Sequence, residues 1–255
     1  MSIAVPKRAM VLAAGLGLRL RPITTLKPKP LVEVGGQTLL DRALDRLDEA
    51  GVETAVVNTH YYAEMVAKRL AQRRRPRIIL SPETDLLETG GGIAHALDKL
   101  NPPDEGDRPF YAINGDSFWL NGPSDVLKRL AAGWDDARMD ALLAVYATPH
   151  ALGYDGMGDF MMDELGRLRR RREDEVVPFA FIGLQILHPR LFRNSQTGEI
   201  EAGAFSLNRL YDRAAGTERL WGIAHDGEWF HISTPEDLRD AEAQLGTRYS
   251  FYPRI

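Results

Sequence analysis

The sequence predicts an α/β protein with a mostly parallel central sheet flanked by helices, followed by a smaller β-rich part in the second half of the chain. Three observations carry this. Short apolar runs alternate with amphipathic stretches through about residue 150, the pattern of strands joined by right-handed crossover helices in a Rossmann-like sheet. Past residue 153 the pattern gives way to a segment rich in glycine, methionine and charge, then to the strong strand signal of Phe179–Leu187, FAFIGLQIL. The chain has 255 residues, 44% hydrophobic and 27% charged, an ordinary globular composition with enough length to bury a sizeable core.

Taken in order, Ala9–Ala13 (AMVLA) reads as a buried strand. Leu39–Ala50 reads as a helix, with Leu40, Ala43, Leu44 and Leu47 on one face and Gly51 as its C-cap. Thr54–Thr59 is a strand, Ala63–Arg73 a helix and Arg77–Leu80 a third strand. Gly92–Leu100 reads as helix, Pro109–Ile113 as strand, Pro123–Trp134 as helix and Ala141–Tyr146 as strand. In the second half, Gly153–Arg170 resembles a meander and Phe205–Arg213 a short helix. Leu220–Ala224 and Glu228–Ile232 read as strands. A last helix opens at Pro235-Glu236-Asp237, with Ser233 or Thr234 as its cap. No repeat, low-complexity tract or linker divides the chain. One domain over residues 1–255 is expected, in two parts at about 1–150 and 151–235.

Several function classes drop out. A net charge of −4 gives no general basic surface for nucleic acid. The dense basic run Arg167–Arg172 is broken only by Leu168 and followed by Glu173, Asp174 and Glu175. It reads as a solvated hairpin whose charges compensate one another. The absence of cysteine excludes disulfides, thiol nucleophiles and thiolate metal sites and fits a reducing cytoplasm, the expected location. No apolar run is long enough to span a bilayer, and Met1–Arg8 lacks the apolar stretch of a secretion signal.

The chemistry gathers after the first strand. Ala9–Ala13 runs into Ala14-Gly15-Leu16-Gly17-Leu18-Arg19. Two glycines so placed can turn backbone N–H groups toward an anion, and Arg19 adds a forked donor suited to phosphate. A plain tight turn accounts for the glycine pair equally well. The third glycine of a dinucleotide fingerprint is missing, and no Gly-Lys-Ser/Thr closes a P-loop. Lys27-Pro28-Lys29-Pro30-Leu31 follows, a stiffened segment that can carry an ammonium onto a triphosphate. Asp116, in Asn114-Gly115-Asp116 at the end of a buried strand, is placed either for a hard cation or simply to form the turn. Thr89 reads as a helix cap.

Leu12-Ala13-Ala14-Gly15-Leu16-Gly17-Leu18-Arg19-Leu20-Arg21-Pro22, together with Pro28-Lys29-Pro30-Leu31, resembles the signature of the sugar-phosphate nucleotidyltransferases. The resemblance implies the fold of that family and a reaction joining a sugar 1-phosphate to the α-phosphate of a nucleoside triphosphate. It implies a nucleotide-binding first part and a sugar-binding second part. By resemblance, Leu12, Ala13, Ala14, Gly15 and Gly17 wrap the triphosphate, while Arg19 and Lys29 stabilise the leaving pyrophosphate. Ser81-Pro82-Glu83 and Leu87–Ile93 are similar to the segment around base and ribose, which implicates Glu83, Thr89, Gly90 and Gly91 and implies that the flat base lies on the bare backbone of the glycines. Asp116 takes the place of the magnesium aspartate, so the catalytic set is Arg19, Lys29 and Asp116. On the sugar side the resemblance implicates Asn114, Asp159, Gly183 and His231. Trp229–Thr234 (WFHIST) is similar to the late family motif Trp-x-Asp-Ile/Val-Gly-Thr. His231 stands where that motif has a second metal aspartate and Ser233 where it has glycine. His231 is therefore expected to hydrogen-bond the sugar phosphate or a metal-bound water, and Asp226 to belong to a turn. Gly158-Asp159-Phe160 and Leu187-His188-Pro189 look most like members that use UTP and N-acetylmuramate 1-phosphate in cell-wall recycling. Thymidylyl and guanylyl members are the alternatives, and a non-catalytic nucleotide-sugar sensor on the same fold is the alternative of a different class.

Overall fold

The computed structural model describes residues 5–151, 153–194 and 196–251. The expectation for Met1–Arg8 therefore falls partly outside the described residues. Strand β1 (Arg8–Leu12) is followed by the two-residue strands β2 (Glu33–Val34) and β3 (Gln37–Thr38). Then come α1 (Leu39–Glu49), β4 (Thr54–Thr59), α2 (Ala63–Leu70), β5 (Arg77–Pro82), α3 (Glu88–His95) and α4 (Leu97–Leu100). Next are β6 (Phe110–Asn114), β7 (Phe118–Leu120), α5 (Val126–Gly133), β8 (Ala141–Ala147), β9 (Phe160–Met162) and β10 (Leu168–Arg170). The last are β11 (Phe179–Leu187), α6 (Leu207–Gly216), β12 (Leu220–Ala224), β13 (Glu228–Phe230) and α7 (Pro235–Phe251).

A nine-stranded sheet organises the molecule. Its first half is parallel, in the order β6-β1-β4-β5. β1, RAMVL, is apolar from Ala9 to Leu12 because both its faces are covered. Ala9 and Val11 face α1 through Leu40, Leu44 and Leu47, while Met10 faces Ile93 of α3 and Leu97 of α4. Thr38 caps α1, its hydroxyl accepting the Asp41 N–H at 3.1 Å.

The second half joins the same sheet through β11, which runs antiparallel to β6 and β8. One edge of β11 pairs with β8 along its length. The other edge changes partner, from β9 at Phe179 to β6 over Leu184–Leu187. A bulge lies between Phe181 and Gln185. β12 runs parallel to β8.

Three local expectations are corrected. The helix expected at Gly92–Leu100 starts at Glu88 and breaks at Ala96, giving α3 and α4. Thr89 does not cap it: the Thr89 hydroxyl accepts the Leu207 N–H at 3.0 Å, at the start of α6. The strand expected at Glu228–Ile232 stops at Phe230 and pairs with β7 instead of the main sheet. The last helix opens as expected, with Thr234 and Asp237 bonding each other's N–H groups. Among the described residues, no helix is long and apolar enough to cross a membrane.

Candidate active site

The site begins where β1 ends. Val11 and Leu12 pair with Ile113 and Asn114, so the glycine-rich segment and the Asn114-Gly115-Asp116 turn leave the sheet side by side. Gly115 permits this. Its N–H donates to the Leu12 carbonyl at 2.8 Å, and a Cβ at 115 would stand 2.9 Å from that oxygen. Both segments lie beyond the carboxyl ends of parallel strands, the usual binding edge of such sheets.

The two glycines of the loop do different things. Gly17 has a left-handed φ of 61°, and a Cβ there would meet Lys29 Cβ and Thr24 Cγ2 at 3.0 Å. It lets the loop touch the proline-bracketed segment. A Cβ at Gly15 would meet nothing within 4 Å; the space beside it is open cleft. Pro28 and Pro30 frame a single tight turn, Lys29–Leu31, with Pro30 and Leu31 buried. That leaves Lys29 Nζ to cross the cleft to Asp116 Oδ2 at 2.7 Å. Arg19 stands exposed on the rim.

Two hollows open around this pair. The larger, about 620 Å³, is lined by Leu12, Ala13, Ala14, Gly15 and Gly17 and by Thr89 across the cleft. The smaller, about 170 Å³, is lined by Ser117, Phe181, Gly183, Trp229 and His231 with their neighbours. Arg19, Lys29, Asn114 and Asp116 line both. Two ligands would thus meet at two cations and one carboxylate, with Asn114 beside them.

The β11 bulge closes the smaller hollow. Gly183 has φ 79°, and a Cβ there would stand 2.2 Å from Ser117 Oγ and 2.9 Å from Asn114 Nδ2. Ser117 in turn donates to the Ile182 carbonyl at 2.9 Å. The bulge is pressed onto the turn that carries Asp116. His231 stands edge-on to Tyr154 and Trp229, each with ring centres 5.5 Å away. Burial, then the Lys29 and Arg19 cations, push its pKa below the ordinary imidazole value. At pH 7 it is a neutral hydrogen-bonding group.

Residues 8–163, more than half of the chain, match the nucleotidyl transferase family. The chain belongs to that family. It is 42% identical over 245 residues to the N-acetylmuramate alpha-1-phosphate uridylyltransferase of Caulobacter vibrioides, covering 94% of this chain and 97% of that one. Identity to the enzyme of the same name from Neisseria meningitidis is 30% over 242 residues, covering 94% and 98%. In fold it resembles the crystal structure of a UDP-glucose pyrophosphorylase complexed with UDP-glucose. The TM-score is 0.73 at 19% identity, covering 95% of this chain and 99% of that one. Family membership makes the protein a nucleotidyltransferase.

Against this family frame, some expected residues lie away from the two hollows. Glu83 is buried behind the larger hollow: its Oε1 accepts from Asn58 Nδ2 at 2.7 Å and its Oε2 from the Leu87 N–H at 3.2 Å. Gly90 and Gly91 are buried too, and the bare backbone expected to lie under a flat ring is covered by the protein itself. A Cβ at 90 would stand 2.4 Å from the Phe205 ring, and one at 91 would stand 2.2 Å from the Gly203 carbonyl. Both N–H groups donate to the Phe205 carbonyl. These glycines shape the cleft by letting the α6 approach segment pack against α3. Asp159 lines a third hollow, beyond Phe181.

Sequence reasoning missed Asn58 and Ser206, which both line the larger hollow. Asn58 Oδ1 accepts the Ala13 N–H at 2.7 Å while its amide holds Glu83. It ties the loop to the segment opposite. A polar residue inside an otherwise apolar strand, TAVVNT, was the available signal. Ser206 caps α6 and reaches the cleft only through tertiary packing.

Proposed function

We propose that the protein, working as one domain, transfers the uridylyl group of UTP to N-acetylmuramate 1-phosphate, giving the UDP-sugar and pyrophosphate with magnesium as cofactor. The observation that carries the reading is the junction of two hollows at Arg19, Lys29, Asn114 and Asp116. It is supported by end-to-end similarity to uridylyltransferases of that name. The triphosphate occupies the larger hollow against the glycine loop. The sugar 1-phosphate occupies the smaller one, against Gly183 and His231.

The acceptor phosphate needs no general base, because a phosphate monoester with a second pKa of about 6 is largely dianionic at pH 7. One of its oxygens forms the new bond to the α-phosphorus as the bond from that phosphorus to the α–β bridging oxygen breaks. The leaving electron pair and charge go to pyrophosphate. The obstacle is repulsion between two polyanions, so Arg19 and Lys29 act by position and charge. Neutral His231 donates a hydrogen bond to the acceptor phosphate.

The donor set fits magnesium. Asp116 offers a partly exposed carboxylate at the junction. No cluster of three or more metal-ligating side chains is present among the described residues. One carboxylate suits an ion that takes its remaining ligands from substrate oxygens and water. When bound there, magnesium would neutralise phosphate charge. Lys29 pairs with the same carboxylate at 2.7 Å. His231 offers a nitrogen, a poor ligand for this ion. Asp226 pairs with Arg129 at 2.9 Å and lines neither hollow.

A matrix of nucleoside triphosphates against sugar 1-phosphates, read by pyrophosphate release, tests the proposal. UTP with N-acetylmuramate 1-phosphate is expected to give the highest kcat/KM. GTP with mannose 1-phosphate winning outright would overturn it.

A further inference from the structure

The basic run at Arg167–Arg172 does not compensate itself completely. Arg167 pairs with Asp163 and Glu218, Arg169 with Glu175 and Arg170 with Asp212. Arg171 pairs with no carboxylate among the described residues. Its guanidinium donates only to the backbone carbonyls of Arg172 and Glu173, at 3.1 and 2.8 Å. It lines the third hollow, about 280 Å³, with Asp159, Phe160, Arg170, Phe181, Asn208 and Tyr211.

This hollow adjoins the acceptor side, because Phe181 lines both. A second connection runs through Tyr154. Its ring packs edge-on to His231. Burial and then Asp159 raise the pKa of its phenol, while the Gly158 N–H and, after it, Arg171 draw it back down, so both charges act on the Tyr154 hydroxyl. The hollow presents two guanidiniums against one carboxylate. That carboxylate is engaged, with Asp159 Oδ2 accepting the Phe181 N–H at 2.8 Å. Arg170 is held by Asp212 at 2.6 Å. The guanidinium left without an anionic partner is that of Arg171, and a planar fork of this kind matches a carboxylate.

We infer that the hollow beyond Phe181 receives the acidic substituent of the acceptor sugar, and that Arg171 reads its carboxylate. This rests on the acceptor assigned above, whose lactyl ether carries a carboxylate that N-acetylglucosamine 1-phosphate lacks. Arg171 is then a specificity residue, and the reacting phosphate lies elsewhere, at Arg19 and Lys29.

Steady-state kinetics of the full chain with UTP and magnesium, comparing these two acceptors, tests the inference. The wild-type protein is expected to prefer the acid. Arg171→Gln should lower that preference by roughly tenfold or more, as loss of a charged hydrogen bond does, chiefly by raising KM for the acid. Arg171→Lys should restore part of it. Arg169→Gln, on a guanidinium already paired with Glu175, should leave the preference where it is. Equal losses on both acceptors in Arg171→Gln would give Arg171 a phosphate-binding or structural role and overturn the inference. So would an unchanged preference, or a wild-type protein that prefers the neutral sugar. A wild-type protein that turns over neither acceptor would instead overturn the functional reading itself.

Discussion

The two sides of the cleft are built differently. The larger hollow, proposed above for the triphosphate, has one continuous wall, Leu12 to Arg19, leaving a strand whose neighbours are parallel, and takes the rest of its lining from separate segments. The acceptor side is assembled from β11, β13 and the turn after β6, held in contact by a bulge at Gly183. A segment written continuously in the chain can place backbone N–H groups with little help. A pocket made from three distant segments depends on each contact between them. The first side should therefore fail in chemistry when altered, and the second should fail in folding as well.

The largest effects are expected at the junction. Lys29→Ala and Asp116→Ala should each lower kcat by roughly a hundredfold or more at saturating substrate, as loss of a preorganised charge contact does. Thermal unfolding should change little, since the pair is partly solvated. Asp116→Ala should also alter the magnesium titration. Near wild-type turnover in either variant would detach that residue from catalysis.

A pair of glycine substitutions tests the comparison directly. Gly183→Ala forces a side chain into a left-handed backbone against Ser117 and Asn114. It should cost about 1–3 kcal/mol of stability, besides activity. Gly15→Ala has room for its methyl group, so Tm should hold while KM for UTP rises. Denaturant melts and kinetics on the two proteins would reverse the argument if Gly15→Ala were the unstable one.

Asn58 is the exception on the first side, the point where the continuous wall is tied to a distant segment. Asn58→Ala leaves the Ala13 N–H and the buried Glu83 carboxylate each short of a partner. A loss of about 1–3 kcal/mol is expected in urea unfolding, along with weaker UTP binding. An unchanged midpoint would show that Asn58 does not hold the two segments together.

Acid should weaken the fold through its buried imidazoles. His188, His225 and His231 all have pKa values lowered first by burial. Above the ordinary value near 6.5, neither folded nor unfolded chains carry these protons. Below it the unfolded chain takes them up before the folded one does, so stability falls as pH drops from 7 toward 5. Tm measured across that window should decline, and less steeply in His231→Asn. The smallest effect belongs to Asp226→Ala. It removes a surface pair with Arg129, worth at most about 1 kcal/mol, and should leave the magnesium requirement unchanged. A dead Asp226→Ala enzyme would put a second carboxylate in the metal site.

By itself the sequence determined the parallel half of the fold and the residues around the junction. AMVLA is a strand covered on both faces, and the amphipathic pattern of Leu39–Ala50 supplies one cover. The glycine–arginine turn, the proline-framed lysine and Asn114-Gly115-Asp116 all follow strand ends or each other closely in the chain, so local rules locate them. Tertiary structure decided the rest. Only packing shows that Gly90 and Gly91 face Phe205 and Gly203 rather than an open cleft, and that Thr89 serves α6 instead of its own helix. Only the sheet order brings Gly183 onto Ser117 and sets Asp159 and Arg171 behind Phe181. Backbone hydrogen bonding and side-chain periodicity act over a few residues and can be read along the chain. Which distant surfaces press together is set by the burial of the whole core, and no local pattern encodes it.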